Sequence, residues 1–453
     1  MKESSEVPTI KYKFDSIIKD FIAKIESLKE TMPLVMILMS FNNSESHKKF
    51  ADFIDKNGIP ENSDDGEEKL TFSPEDSHNF SIFEKNASIA SNALEIIPKS
   101  LFVTLISEFD SFLGRLIREI FNAKPEILNA SEKNLTFQRL IELKSIEEAK
   151  EYIIEKEVEA ILRESHSEHF NWLENKLGIT LRKDLSVWEK FVEITERRNL
   201  FVHCDGVVSS QYLSNCRGAK VKFEKQIQVG EKLDVSPEYF DLAYKSLYEI
   251  SVKLTQVIWR KLLTNDLEKA DESLNDICFE LLKNRHFDLA DILLDFATNV
   301  LKKHHNEETK NVFIVNKALS LKLGGQEEKC RDIVCSKDWS ACSDKFKIAK
   351  EALLDNFDEV RRLMIKIGDD GEINKVSYKI WPLFEGFRKT QEFPQCYQDV
   401  FGEEYKPIET PKKLIEELFS KAKKSDQEKL EYEKELEEQI PQEDSTTSNR
   451  NIG

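Results

Sequence analysis

Glycine and proline are scarce in this chain, with 14 glycines and 12 prolines among 453 residues. This is about half of their usual combined share. Because these residues build most tight turns, their scarcity argues against a β-sandwich or β-barrel and favours long helices. Apolar residues make up 40% of the chain and charged residues 33%, so it can bury a core and global disorder is excluded. At ~150 residues per domain, the length allows about three folding units.

Positive charge is in deficit. The 66 lysines and arginines are outnumbered by 84 aspartates and glutamates, which gives a formal net charge of −18. A protein that coats nucleic acid generally is basic, so any nucleic-acid site in this chain must be local.

Cysteines and long apolar runs are few. The seven cysteines include no C-x-x-C pair, and residues 1–10 are polar with mixed charge, unlike a signal peptide. These features predict a reducing, cytoplasmic location. The longest uninterrupted apolar run, residues 33–39, is far shorter than the ~20 residues that span a bilayer. It predicts a buried helix and no membrane partner.

Apolar spacing divides the chain into four predicted regions. Residues 1–85 are predicted to be helical, with a mobile loop near 57–78 where Gly, Pro, Asn, Ser and acidic residues cluster. Residues 86–265 are predicted to form a helical bundle, and residues 266–410 a set of shorter paired helices. Residues 411–453 are predicted to form a charged C-terminal helix and tail.

Within the predicted bundle, the expected helices cover residues 97–121, 132–144, 146–163, 166–177, 187–204 and 236–263. Pro98 is placed in the first turn of the first of these helices. Asp184 or Ser186 is expected to cap the helix at 187–204, and Gly206 to end it. The alternating segment 220–228 predicts a short strand or an extended connection.

The predicted paired helices break at residues 284–286, 324–325 and 355–356, and each break precedes an acidic first turn. The loose spacing of the breaks brackets the ~34-residue tetratricopeptide period, although the consensus Trp, Gly and Tyr positions are lacking. The expected fold is therefore all-α, with a helical bundle followed by irregular, tetratricopeptide-like helical hairpins.

A polar group marks the C-terminal end of the helix predicted at 187–204. Arg198 and Asn199 precede His203 there, among Leu200, Phe201 and Val202. Asn199 and His203 share a face, whereas Arg198 is about 140° from His203 around the helix. Arg198 and His203 therefore meet directly only if the helix is distorted or the guanidinium reaches round.

This residue set suits phosphate chemistry. A histidine can move a proton to or from an oxygen, and an arginine can bind a phosphate and its developing charge. RNA carries its own nucleophile, the 2′-hydroxyl, so Arg and His suffice without a metal for in-line attack on the adjacent phosphate. The plain alternative is that these residues cap and solvate a helix end.

The segment RNLFVH, from Arg198 to His203, resembles the R-x4-H motif of the HEPN superfamily, including the Asn that often follows the Arg. An acidic, apolar helix precedes the motif, and Asp205-Gly206 and Tyr212-Leu213 follow it. The segment LISEFDSFLGRL at 105–116 resembles the family's earlier helix, whose acidic residue is best matched by Asp110. The resemblance covers roughly residues 90–265.

The resemblance implies a HEPN-like bundle that dimerises with its two R-x4-H helices facing each other. It implies a metal-independent endoribonuclease that needs no cofactor, cleaves RNA and acts as a toxin or antiviral effector. Arg198 and His203 would be catalytic, Asn199 would orient or bind phosphate, and Asp110 would hold Arg198 or His203. A regulatory or antitoxin protein would bind the helical repeats. The superfamily also contains inactive members and members that modify nucleotides.

Two other functions stay open at this point. In one, the bundle is a non-catalytic dimerisation module and the repeats bind protein or RNA partners. In the other, the chain transfers nucleotides, although no Gly-rich loop or paired-Asp pattern supports a nucleotide pocket. His166 and His169, at i and i+3, could hold a metal, but the lack of a third ligand set favours an exposed helix terminus.

Overall fold

A computed structural model describes residues 13–62, 68–129, 135–183, 185–223 and 225–408. The protein is all-α, as the composition predicts, and 75% helical. Polar side chains start many of the helices: a Ser, Thr or Asn accepts a hydrogen bond from the third helical N–H at Ser73, Thr136, Ser145, Ser165, Ser209, Ser236, Asn306 and Asn374. Such caps satisfy backbone donors that the helix itself leaves free.

Two long helices, α1 (Phe14–Asn57) and α2 (Pro74–Ala123), pack side by side as an antiparallel pair. Between them, the strands β1 (Ile59–Asn62) and β2 (Glu68–Thr71) form an antiparallel hairpin. The prediction of a mobile loop at 57–78 therefore misses two strands and the first turn of α2. A cluster of phenylalanines holds this end of the pair together: Phe50, Phe53, Phe72, Phe80 and Phe83.

The predicted start of a helix at Pro98 is wrong, because Pro98 lies inside α2. The helix starts instead at Pro74, where Ser73 caps it. An internal proline removes one hydrogen bond and costs ~3 kcal/mol or more, and here packing against α1 continues on both sides of it.

By length and composition alone, α2 is also apolar enough to cross a membrane, since one 18-residue window has a mean hydropathy of 1.4. A core helix meets the same criterion. The C-terminal half of α2 is core, with fully buried Phe102, Phe109 and Phe112 among its side chains.

Seven further helices complete the first part of the chain: α3 (Glu126–Asn129), α4 (Phe137–Glu142), α5 (Ile146–Leu162), α6 (His166–Leu177), α7 (Trp188–His203), α8 (Ser210–Gly218) and α9 (Pro237–Leu262). α2 lies against α5, α7 and α9, and α9 also contacts α1 and α7. The largest buried side chains of this part are aromatic, so ring packing dominates its core.

One local prediction in this part is wrong, one lies outside the described residues, and for a third the structure excludes one of two alternatives. Val187, with no side-chain cap, occupies the position before α7, so Ser186 does not cap the helix; Asp184 is not described. Of the two alternatives predicted for 220–228, the strand is excluded, because the described part of this segment is a connection without regular secondary structure. Its alternating apolar side chains Val221, Phe223 and Ile227 instead pack on a small cluster around Tyr212 and Leu233.

The second part of the chain is an array of shorter helices: α10 (Leu267–Lys283), α11 (Phe287–Asp295), α12 (Glu307–Leu323), α13 (Glu327–Ser336), α14 (Asp344–Leu353), α15 (Phe357–Ile367), α16 (Lys375–Ile380), α17 (Glu385–Arg388) and α18 (Phe393–Phe401). A π-helical turn at Phe296–Val300 and a 3₁₀ turn at Pro382–Phe384 interrupt it. The three predicted breaks are confirmed: α10 packs on α11, α12 on α13, and α14 on α15.

The described residues up to Glu404 belong to one compact unit, and Tyr405 begins a second unit. The four domain limits inferred from the sequence stay predictions. The predicted helix within 411–453 lies outside the described residues.

Candidate functional site

The candidate site is built on α7, which runs antiparallel to α2. Phe109 of α2 packs edge-on against Phe191 near the start of α7, with ring centroids 5.2 Å apart. Phe102 meets Phe201 near the end of α7 at 5.6 Å. These ring contacts fix the position of α7 along α2, so the stretch of α7 between Phe191 and Phe201 lies alongside residues 102–109 of α2.

A tight turn ends α7 directly after His203. Asp205 and Gly206 have positive φ angles of 49° and 82°, and the Gly206 N–H donates to the Leu200 carbonyl at 3.1 Å. A Cβ at Gly206 would lie 2.9 Å from the Leu233 carbonyl oxygen, closer than such atoms normally approach. Glycine at 206 therefore fixes where the helix stops, which is close to where the sequence places its end.

The two adjacent arginines of α7 have different surroundings, because neighbouring helix positions point about 100° apart. The Arg197 side chain is largely buried, with 13% of it exposed. Its Nε donates to Glu193 Oε1 at 2.7 Å, and its guanidinium carbon lies 3.8 Å from the Tyr239 ring centroid. Burial alone would lower the pKa of Arg197, but the neighbouring Tyr239 and Glu193 outweigh it and raise that pKa.

Glu193 is the centre of this buried cluster. The hydroxyl of Tyr212 donates to its Oε1 at 2.7 Å, and the hydroxyl of Tyr239 donates to its Oε2 at 2.6 Å. Burial and the Glu193 charge raise the pKa of Tyr212, and the same two causes raise the pKa of Cys216 to about 12. The cluster links α7 to α8 and α9. Because Arg197 is paired with Glu193 there, it is not assigned to the candidate site.

Arg198 faces α2 and meets Asp110. Its Nη2 lies 3.5 Å from Asp110 Oδ2, and its Nη1 donates to the Asn199 side-chain oxygen at 3.1 Å. The structure thus brings together three of the four residues singled out in the sequence. About a quarter of each of the two paired side chains is exposed, so a phosphate can still reach the guanidinium.

A fourth group, His166 at the start of α6, was not assigned to this site from the sequence. Its Nε2 lies 2.7 Å from Asp110 Oδ1, so one carboxylate bridges His166 and Arg198. The His166 side chain is 12% exposed, and its ring packs against Phe109 and Phe191. Its position 56 residues from Asp110 in the chain explains why sequence spacing gave no sign of the contact.

His203 occupies the last position of α7 and is exposed. Among the described residues no side chain bonds to its ring, so the imidazole is open to a ligand. α7 continues as an α-helix to His203, without the distortion that would bring Arg198 and His203 together. In one chain, Arg198 turns toward Asp110 and His203 lies elsewhere on the helix.

His169, one turn after His166, is buried. It is 2% exposed, and neither ring nitrogen has a partner with hydrogen-bond geometry in the described chain. The expectation that His166 and His169 form an exposed helix terminus is therefore wrong. No group of three metal-ligating side chains occurs among the described residues.

Burial of His169 makes stability depend on pH. Desolvation and the nearby His166 lower the pKa of His169 to about 4 from an ordinary 6.5. Between those values the unfolded chain binds a proton that the folded chain does not, so stability falls as the pH drops. We expect this residue to cost about 2–3 kcal/mol of unfolding free energy between pH 7.5 and pH 4.5.

Urea unfolding of wild type and His169→Phe at the two pH values measures this cost. The variant should lose less stability on acidification than the wild type by that amount. Equal losses in the two proteins would contradict the assignment of acid sensitivity to His169.

Comparison of the chain with protein-family models, with curated proteins and with solved structures gives no significant match. The resemblance of RNLFVH to the HEPN motif therefore stays a prediction, and the local geometry carries the functional argument.

Proposed function

We propose that this protein is a metal-independent endoribonuclease with a HEPN-type site, acting as a toxin or antiviral effector. The proposal rests on two groups of α7. The Arg198 guanidinium is positioned by Asp110 and Asn199, and the His203 imidazole at the helix end is exposed and has no hydrogen bond to a described side chain. Neither group is tied up in a buried interaction, whereas the Arg197 guanidinium pairs with Glu193.

The roles of the groups follow from their chemistry. His203 would remove the proton from the 2′-hydroxyl or give one to the leaving 5′-oxygen. Arg198 would bind the scissile phosphate and offset the charge that grows on it during in-line attack. Asn199 and Asp110 would fix the guanidinium, since a positioned group loses less freedom in the transition state.

The proposal requires a second copy of the chain. Because Arg198 and His203 diverge around an undistorted helix, one α7 does not aim both at the same phosphate. Two α7 helices facing each other across a twofold axis would place Arg198 of one chain toward His203 of the other. The proposed active form is therefore a homodimer, whose helical-repeat array is free to bind a regulatory or antitoxin protein.

The direct test is cleavage of total RNA by the purified full chain in EDTA. We expect cleavage that persists in the chelator and is lost in His203→Ala. If the wild-type protein cleaves no RNA and expression of either protein leaves growth equally unaffected, the non-catalytic scaffold replaces the nuclease.

Cys204, exposed and next to His203, gives a native probe for the facing helices. Replacing the exposed Cys335 and the half-buried Cys342 by Ser leaves Cys204 as the accessible thiol of the described chain for a short bis-maleimide reagent. Crosslinked dimers should form from this variant and be absent when Cys204 is also replaced by Ser. A dimer in solution that Cys204 never crosslinks would place the twofold axis away from α7.

His166 should matter for cleavage through Asp110 rather than through RNA binding. His166→Phe keeps the ring packing but loses the bond to Asp110, so Arg198 loses part of its support. We expect the rate at saturating RNA to fall about 10-fold with unchanged RNA affinity, and His166→Gln, which can donate to Asp110, to recover most of it.

The matched control is His169→Phe, on the same helix and without a hydrogen bond to Asp110; a phenylalanine there keeps a ring against His166. It should cleave RNA at the wild-type rate near neutral pH. If both phenylalanine variants lose the same activity, His166 acts only by packing.

A further inference from the structure

A cavity of about 680 Å³ lies between α4 and α5, outside the residues assigned above. Three cationic side chains line it, Arg139, Lys156 and Arg163, together with the carboxylate of Glu159. A second carboxylate, Glu142, pairs with Arg139 from outside the lining, so the cations still outnumber the carboxylates. In a chain with a net charge of −18, such a local excess of positive charge is the feature that a nucleic-acid site requires.

Three other cavities of the described chain have a smaller excess of cationic lining side chains, or none. The cavity lined by Lys261 and Lys302 has the one carboxylate of Glu174 and no aromatic side chain. The cavity beside α9 and α11 has four carboxylates and two lysines. The cavity between α13 and α15 holds five cationic side chains, but four carboxylates offset them. The cavity between α13 and α15 also contains an aromatic residue, Trp339, so it is a suitable control.

An aromatic platform lies in the cavity between α4 and α5. The guanidinium carbon of Arg139 is 4.6 Å from the Tyr152 ring centroid, and Lys156 Nζ is 5.8 Å from it. Aromatic rings and arginine planes are the surfaces on which unpaired bases stack, while neighbouring lysines and arginines bind the phosphates.

The carboxylate of Glu159 competes with such phosphates for the same cationic side chains. It lies 2.9 Å from Lys156 Nζ and 4.0 Å from an Arg163 nitrogen, while Arg139 pairs with Glu142 at 2.7 Å. The Arg163 side chain is 80% exposed, so it can exchange this weak pairing for a phosphate.

The cavity adjoins the candidate site along the chain. Leu162, beside Arg163, packs so closely on α2 that a Cβ at Gly114 would lie 3.0 Å from it. Gly114 is one helical turn from Asp110, and His166, three residues after Arg163, bonds to Asp110. The short link between α5 and α6 thus joins the two features.

We propose that this cavity is a binding subsite for single-stranded RNA. One base stacks on Arg139 and Tyr152, and the flanking phosphates meet Lys156 and Arg163. The assignment of RNA as the ligand rests on the proposed function, and the cavity extends the site from the scissile phosphate to nucleotides next to it.

The test measures binding of a fluorescent single-stranded RNA to the full chain carrying His203→Ala, so that the RNA stays intact. We expect Lys156→Gln and Arg163→Gln each to weaken binding and to lower the salt slope by about 0.7. Tyr152→Ala should weaken binding roughly 10-fold. Glu159→Gln should tighten it, because it removes the carboxylate that pairs with Lys156 and Arg163.

The controls are charge-matched changes in the cavity between α13 and α15. Lys347→Gln and Glu359→Gln make the same charge changes there and should leave the affinity unchanged. The subsite is wrong if these controls move binding as much as their counterparts, or if poly-glutamate competes as well as RNA of equal length.

The two proposals fail separately. If the wild type cleaves RNA while the cavity variants bind like their parent, the nuclease stands and the subsite is overturned. If no RNA is cleaved but the cavity variants shift RNA binding as expected, the subsite stands and the nuclease is overturned.

Discussion

A mixture of Arg198→Ala chains and His203→Ala chains is expected to regain RNA cleavage that neither variant shows alone. Each variant should lose about 10²- to 10⁴-fold in rate, because it lacks either phosphate stabilisation or proton transfer. A mixed dimer, however, keeps one Arg198 and one His203 on opposite chains. With random pairing of chains and two sites per dimer, about one quarter of wild-type activity should return.

This result follows from the splayed geometry of α7. If Arg198 and His203 of the same chain acted together, the mixed dimer would contain no complete pair and would stay inactive. The measurement is single-turnover cleavage of a defined RNA after the two variants are denatured and refolded together. The control for chain exchange is a mixture of wild-type chains with chains that carry both substitutions.

Loss of the Glu193 carboxylate is expected to destabilise the fold severely. Glu193→Ala leaves the buried Arg197 guanidinium without its charge partner and removes the acceptor of two tyrosine hydroxyls. Breaking one side of a buried ion pair costs about 3–5 kcal/mol. Urea unfolding at neutral pH measures this loss.

Glu196→Ala is the matched control for Glu193→Ala, one turn along the same helix. Glu196 is half-buried and accepts one bond from Asn215, at 2.9 Å, so its loss should cost only about 1 kcal/mol. Similar costs for the two variants would show that the tyrosines and Arg197 find other partners when Glu193 is lost.

Some features of the fold could be predicted from the sequence because their causes are local. The bounds of α6 are correct at both ends, since Ser165 caps the helix and Gly178 ends it with a positive φ of 60°. The breaks between paired helices are correct for the same reason: polar and glycine residues interrupt the apolar spacing there.

Other features depend on contacts between distant segments. Pro98 is a reasonable helix start by its local chemistry, but the α1–α2 packing continues through it. The alternation at 220–228 leaves a strand and an extended connection open. Packing decides between them, because the apolar side chains of this segment cover the small cluster beneath α8. At the candidate site, the resemblance singles out Arg198, Asn199 and His203 through the motif and Asp110 through the segment at 105–116. His166 joins Asp110 only through the packing of α6 on α2.

The neighbouring positions 197 and 198 carry the same residue type under opposite constraints. Selection on position 197 would act through folding, because that guanidinium is locked in the core. Selection on position 198 would act through binding of the proposed ligand, because that side chain is partly exposed. A single-residue deletion upstream in α7 would turn Arg198 into the orientation of Arg197 and put Asn199 in that of Arg198. Homologues should therefore preserve the register of this helix more strictly than its number of arginines.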